Sequence, residues 1–266
     1  MRNILLSFIV IFYSNILNAV EFNGKFEQGS FIIGKVQKGS KIEIDRQKIR
    51  LTKDGYFAFG LGRDRKNDVI IKIRTNGNTK IIEKKVFKRD YKIKKIDGLP
   101  KKQVTPPPEV YERIKKDNVL IGKARSIDTA YDYFKNKFIK PVDKYIITGV
   151  YGSQRILNGK PRRPHYGIDL HAPEGTPVKA MMDGKVTLAQ KDMYFTGGTI
   201  IFDHGHGIST LFMHMKDVNV KVGDKVKQGE IVGTLGQSGR ATGPHLDIRL
   251  NWFDVKLDPA SILNLN

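Results

Sequence analysis

The chain has 266 residues, with 47 Lys and Arg against 27 Asp and Glu, a formal net charge of +20 and no cysteine. That length accommodates one large or two modest domains with hydrophobic cores, and the missing cysteines exclude disulfides, thiolate-ligated zinc and thiol nucleophiles. The charge favours an anionic partner, for which nucleic acid and a bacterial wall or membrane surface both qualify.

Met1-Arg2-Asn3 precedes an apolar run over residues 4–13, which has signal-peptide length and is too short to span a bilayer comfortably. Cleavage is expected after Ala19 in Leu17-Asn18-Ala19, with an uncleaved anchor as the alternative. Alternating runs such as Ile42-Glu43-Ile44 and Val69-Ile70-Ile71-Lys72-Ile73 follow, broken by turn signals at Lys53-Asp54-Gly55 and Asn76-Gly77-Asn78. They predict a small β-sandwich-like domain without a catalytic constellation. It reads as a spacer or folding module, with wall binding or autoinhibition as the functional alternative.

Pro100 and Pro106-Pro107-Pro108 mark a linker, because consecutive prolines hold an extended backbone that cannot continue a strand ladder. Val110, Ile114, Val119 and Ile121, then Tyr131, Tyr133, Phe134 and Phe138, recur at helical separations and predict one or two bridging helices. The expected organisation is a signal peptide over 1–19, a β domain over 20–100, a Pro-rich and helical linker over 101–140, and a C-terminal domain over 141–266. The last part is β-rich and Gly-rich, with strands expected near 178–180, 184–188, 199–202 and 209–213. All six histidines lie there.

His165-Tyr166-Gly167-Ile168-Asp169 sets an imidazole and a carboxylate four residues apart; in an extended segment they share a face. Gly243-Pro244-His245-Leu246-Asp247-Ile248-Arg249 reads as a strand with His245 and Asp247 on one face and Leu246 and Ile248 on the other. Together the segments offer nitrogen and carboxylate donors suited to zinc, with a position open for water. His214 can reach the same pocket, where a neutral imidazole accepts a proton from water or stabilises an oxyanion. Taken singly, each of these histidines is more often structural. His204-Gly205-His206, after Asp203, competes as a metal motif but fits a hairpin turn better. His171 reads as a neighbour that tunes the site.

The segment over 145–260 resembles the lysostaphin/LytM-type zinc endopeptidases, which act on peptidoglycan. The likeness rests on Arg163-Pro164-His165-Tyr166-Gly167-Ile168-Asp169, Ala172-Pro173-Glu174-Gly175-Thr176-Pro177-Val178, Val222-Gly223-Asp224-Lys225-Val226 and Thr242-Gly243-Pro244-His245-Leu246. It implies an antiparallel β LytM-type peptidase domain, with zinc bound by His165 and Asp169 and the catalytic water flanked by His214 and His245. The family's third ligand, a histidine, corresponds to Asp247 here, so the chain departs from the pattern at a metal position. A carboxylate there can still coordinate zinc, and it lowers the net charge of the site. The N-terminal part is similar, through less specific motifs, to the leader domain of such exported proteins.

The leading expectation is a mainly β, exported, periplasmic or cell-envelope metalloendopeptidase with one zinc ion, acting on peptidoglycan. Arg162, Arg163 and Arg249 would help hold an acidic polymer, although Arg249 is also placed to pair with Asp247 and keep it off the metal. The alternative is a non-catalytic LytM-like module that binds peptidoglycan or activates a wall amidase. Nucleic acid is not an expected partner, because no binding motif accompanies the charge. A membrane is expected only if the signal segment is retained.

Overall fold

The computed structural model describes residues 20–97 and 107–263. The predicted signal segment over 1–19, and Pro100 and Pro106 of the linker, lie outside the described residues.

Among the described residues of the N-terminal part eight strands form: β1 (Glu21–Asn23), β2 (Phe31–Lys35), β3 (Lys41–Ile44), β4 (Gln47–Ile49), β5 (Tyr56–Gly60), β6 (Val69–Thr75), β7 (Asn78–Lys84) and β8 (Ile93–Ile96). Period-two patterning decides their burial: β6 buries Val69, Ile71 and Ile73 and leaves Ile70 exposed. One sheet has the order β1-β2-β5 and a second β4-β3-β6-β7. Phe31, Ile32, Phe57, Phe59, Ile42 and Ile71 meet in one buried cluster, which gives the sandwich-like arrangement its core.

That cluster also takes in Ile208, Leu250, Trp252 and Leu257 from the C-terminal part. Each fully buried aliphatic side chain contributes about 1.5–3 kcal/mol relative to exposure. The N-terminal sheets are therefore held against the C-terminal part by a shared core as well as by the connecting chain.

Among the described residues of the connecting segment there is one α-helix, α1 (Tyr111–Arg125). The aromatic stretch after it forms only a single 3-10 turn at Tyr133–Lys135, where a second helix was an option. The reason is its packing partners: Phe134 enters the N-terminal cluster and Phe138 the C-terminal one. Aromatics committed to two different cores cannot line one helical face.

The C-terminal part contains β9 (Ile146–Gly149), β10 (Gln154–Leu157), β11 (Lys160–Pro161), β12 (Ile168–His171), β13 (Pro177–Lys179), β14 (Gly184–Met193), β15 (Gly197–Gly205), β16 (Ile208–Val218), β17 (Lys225–Val226), β18 (Ile231–Leu235), β19 (Leu246–Trp252) and β20 (Val255–Leu257). The main sheet runs β17-β14-β15-β16-β19-β12-β9, with β13, β18 and β20 paired at its margins. Every residue of β15 is buried, so that strand shows no polar-out alternation. One face carries Ile200 and Phe202 into the main core, and the other carries Ile201 against Leu188, Leu211, Met193 and Ala124 of α1. The helix covers what would otherwise be a wet sheet face. Among the described residues no helix is long and apolar enough to cross a membrane.

Candidate metal centre

Strands β12 and β19 pair antiparallel with Ile168 opposite Ile248, Asp169 opposite Asp247 and Leu170 opposite Leu246. Their apolar residues enter the core. The same alternation brings two carboxylates face to face, an arrangement that repels unless a cation lies between them. His165 completes the group from the segment before β12. Its Nε2 lies 3.2 Å from Asp169 Oδ1 and its Nδ1 4.0 Å from Asp247 Oδ2. One donor atom from each of His165, Asp169 and Asp247 lies within 4.8 Å of the others.

His165 Nε2 and Asp169 Oδ1 are both buried and neither has an aligned hydrogen bond, despite their proximity. Two orphaned polar atoms in a nitrogen–oxygen–oxygen group are what a cradle for zinc would show, and the donor set fits that ion. Burial pushes the His165 pKa down, but the neighbouring Asp169 and the charge of Asp247 outweigh it, so the net shift is upward. Burial acts to raise the Asp169 pKa, and the imidazoles of His165, His245 and His214 more than offset it, leaving the carboxyl below its ordinary value.

Two glycines make room for the carboxylates. A Cβ on Gly149, which pairs with Asp169 across β9, would fall within the Asp169 carboxylate. One on Gly167 would strike Asp247 Oδ1 and come within 3.0 Å of Arg249 Cγ. Gly149→Ala is therefore expected to displace Asp169 and weaken cation binding by about 10–100-fold, the range for partners that orient a ligand. Competition against a chromophoric chelator measures it.

Arg249 forks Asp247, with Nη2 2.9 Å from Oδ2 and Nε 3.2 Å from Oδ1. The pairing anticipated from their spacing is present, and Asp247 nevertheless keeps an oxygen within the donor group. Each carboxylate oxygen has two lone pairs, so accepting from Arg249 does not bar it from a cation.

His214 lies inside β16, which continues to Val218 and does not end at the histidine as the sequence pattern implied. Its backbone is left-handed, with φ +64°. Nδ1 is 2.9 Å from the Ser238 carbonyl, which can only accept, so the proton sits on Nδ1 and Nε2 keeps its lone pair. Burial lowers the His214 pKa more than this hydrogen bond raises it. His245 is oriented alike, by Nδ1 donating to the Gly243 carbonyl at 2.8 Å. The two rings lie 4.7 Å apart, and His245 Nε2 is 3.9 Å from Asp169 Oδ1. All five residues singled out in the sequence thus converge.

Ser238 was assigned no task from the sequence. Its hydroxyl accepts from Gly198 N and donates to the Met215 carbonyl, fixing the backbone that orients His214. The competing histidines lie elsewhere. His204 is fully buried, bonded to the Asp183 carbonyl and to Thr210 Oγ1, and burial pushes its pKa down to about 4. His206 occupies the β15–β16 turn with φ +54°. His171 bonds the Pro244 carbonyl at 2.7 Å and so ties the His245 segment to β12.

A mainly antiparallel β unit with a His–Asp–Asp cluster between two strands and two oriented histidines beside it is the arrangement that the resemblance to LytM-type metallopeptidases implied. The model of Peptidase family M23 matches residues 163–259, within the C-terminal part of the chain. The chain is 38% identical over 101 residues to the DD-carboxypeptidase/endopeptidase Mpg of Neisseria meningitidis serogroup B, covering 38% of this chain and 23% of that protein. It is 37% identical over 112 residues to the peptidoglycan DD-endopeptidase ShyA of Vibrio cholerae, covering 41% and 26%. The chain spans about a quarter of the length of these curated relatives. A crystal structure assigned to peptidase M23 from Pseudomonas aeruginosa superposes with a TM-score of 0.70 at 24% identity, covering 90% of this chain and 95% of that one. The shared fold therefore extends through the N-terminal sheets.

Proposed function

We propose that the protein is an exported, zinc-dependent endopeptidase that hydrolyses peptide cross-links or stem peptides of bacterial peptidoglycan during wall remodelling. The observation that carries this reading is the convergence of His165, Asp169 and Asp247 beside two imidazoles whose Nε2 atoms remain free to act. Those three side chains would hold one zinc ion. When bound, the ion supplies a Lewis acid for the scissile carbonyl and makes water more acidic. His214, kept neutral by burial, accepts the proton of the attacking water. That proton then passes from His214 to the departing amine, and His245, whose ring lies 4.7 Å from that of His214, lines the same space.

The surplus of basic residues suits an anionic wall polymer. The envelope location rests on the N-terminal segment and on the named activity of the relatives. The relevant experiment measures zinc in the purified protein and the release of soluble fragments from isolated sacculi. His245→Ala is expected to retain zinc and lose turnover by about 10²–10⁴-fold, the range for removing a general acid–base group. A protein that binds no zinc, and releases nothing when zinc is supplied, would instead be the non-catalytic wall-binding module or amidase activator.

A further inference from the structure

The N-terminal sheets reach the segment that carries His165. Strand β8 pairs in parallel with β10, matching Ile93–Ile96 to Gln154–Leu157, and Gln154 N donates to the Lys92 carbonyl. Just before β10, Arg63 inserts a side chain that is only 8% exposed. Its Nε and Nη2 both donate to the Gly152 carbonyl, at 3.0 and 2.8 Å. The guanidinium lies 4.3 Å from the centre of the Tyr91 ring, and that ring fills the space a Cβ on Gly152 would occupy. Gly152 has φ +82°, a conformation natural to glycine.

The corner clamped in this way is the one that fixes His165. Gly152 N donates to the His165 carbonyl at 2.7 Å, and His165 N donates to the Ser153 carbonyl at 2.8 Å. His165 lies outside β12, so these two bonds are what hold its backbone. Arg63, Gly152 and His165 are therefore joined in series, from the N-terminal sheets to the metal cluster.

We infer that Arg63 is a positioning residue for the metal centre: the N-terminal part holds the His165 segment in register through the Gly152 carbonyl, and is a working component of the site as well as a folding module. The inference rests on His165 being a metal ligand, as proposed above. A planar fork donating twice to one carbonyl sets the direction of that carbonyl. A lysine or an apolar chain cannot do so.

The test uses the full chain with Arg63→Met and Arg63→Lys, and Ile71→Val as a control that loosens the N-terminal core away from this segment. Zinc affinity is measured by chelator competition well below each variant's Tm, and amide exchange of Gly152 and His165 is followed without metal. Both Arg63 variants should bind zinc about 10–100-fold more weakly and exchange those two amides faster. Ile71→Val should lower Tm and change neither. If wild type binds zinc and a folded Arg63 variant binds it equally well, Arg63 has no positioning role. If wild type binds no zinc, the proposed function falls, and the exchange data still decide the inference: unchanged protection at Gly152 and His165 overturns it. Should Arg63→Met fail to fold, Arg63→Lys, which keeps the charge and loses the fork, carries the comparison.

Discussion

His165→Ala is expected to give a folded protein that retains no zinc and whose hydrolysis of sacculi falls by more than about a thousandfold, since several kcal/mol of Lewis-acid stabilisation is lost with the ion. His165 supplies the single nitrogen of the cluster, and the two remaining carboxylates form an oxygen site better suited to magnesium or calcium. The same variant has a pH signature in the metal-free protein. The His165 pKa is raised in the fold above its ordinary 6.5. Folding therefore favours the imidazolium, and that stabilisation is fully present below pH 6.5 and lost as pH rises through the raised value. Removing His165 should lower the Tm of the metal-free protein more at pH 5 than at pH 8, in matched thermal melts. Zinc retained at wild-type stoichiometry would remove His165 from the ligand set.

Asp247→Ala should act twice. It removes the third donor, so zinc affinity and fragment release should both collapse. It also leaves Arg249 without its forked partner in a site where Arg125 already adds like charge. Breaking a fully buried ion pair from one side costs roughly 3–5 kcal/mol. The Arg249 side chain keeps 28% of its exposure, so a loss of about 2 kcal/mol in denaturant unfolding is expected here. A stability loss with zinc affinity and activity intact would make Asp247 an anchor for Arg249 and not a ligand. Asp247→His separates the two tasks further, because it restores a nitrogen donor while still leaving Arg249 unpaired.

Each candidate donor sits in a short patterned segment, and this made it legible. Asp169 and Asp247 sit on strands whose neighbours Ile168, Leu170, Leu246 and Ile248 are apolar, so alternation alone puts each carboxylate on the face away from the core. His165 and His245 were less securely placed by that argument. Both lie just before their strands, and backbone bonds to the Gly152–Ser153 corner and to the Gly236 carbonyl aim them. The β15 and β16 region shows the opposite limit. Its alternation is hidden because α1 covers the second face, so Ile200 and Ile201 are both fully buried on opposite sides of one sheet.

The chain by itself determined the strand-rich character and the exclusion of thiol chemistry, and it singled out the five candidate site residues, because composition, period-two burial and motif spacing are properties of short segments. Tertiary structure decided the rest. The β12–β19 register sets Asp169 against Asp247, Arg249 forks the second carboxylate, and Ser238 and Gly243 choose which nitrogen of the His214 and His245 imidazoles is free. Arg63 reaches the His165 segment from 89 positions before the Gly152 carbonyl it binds. Each of these depends on a long-range pairing, and its partner is chosen by how the sheets close around a shared core, which no local pattern encodes.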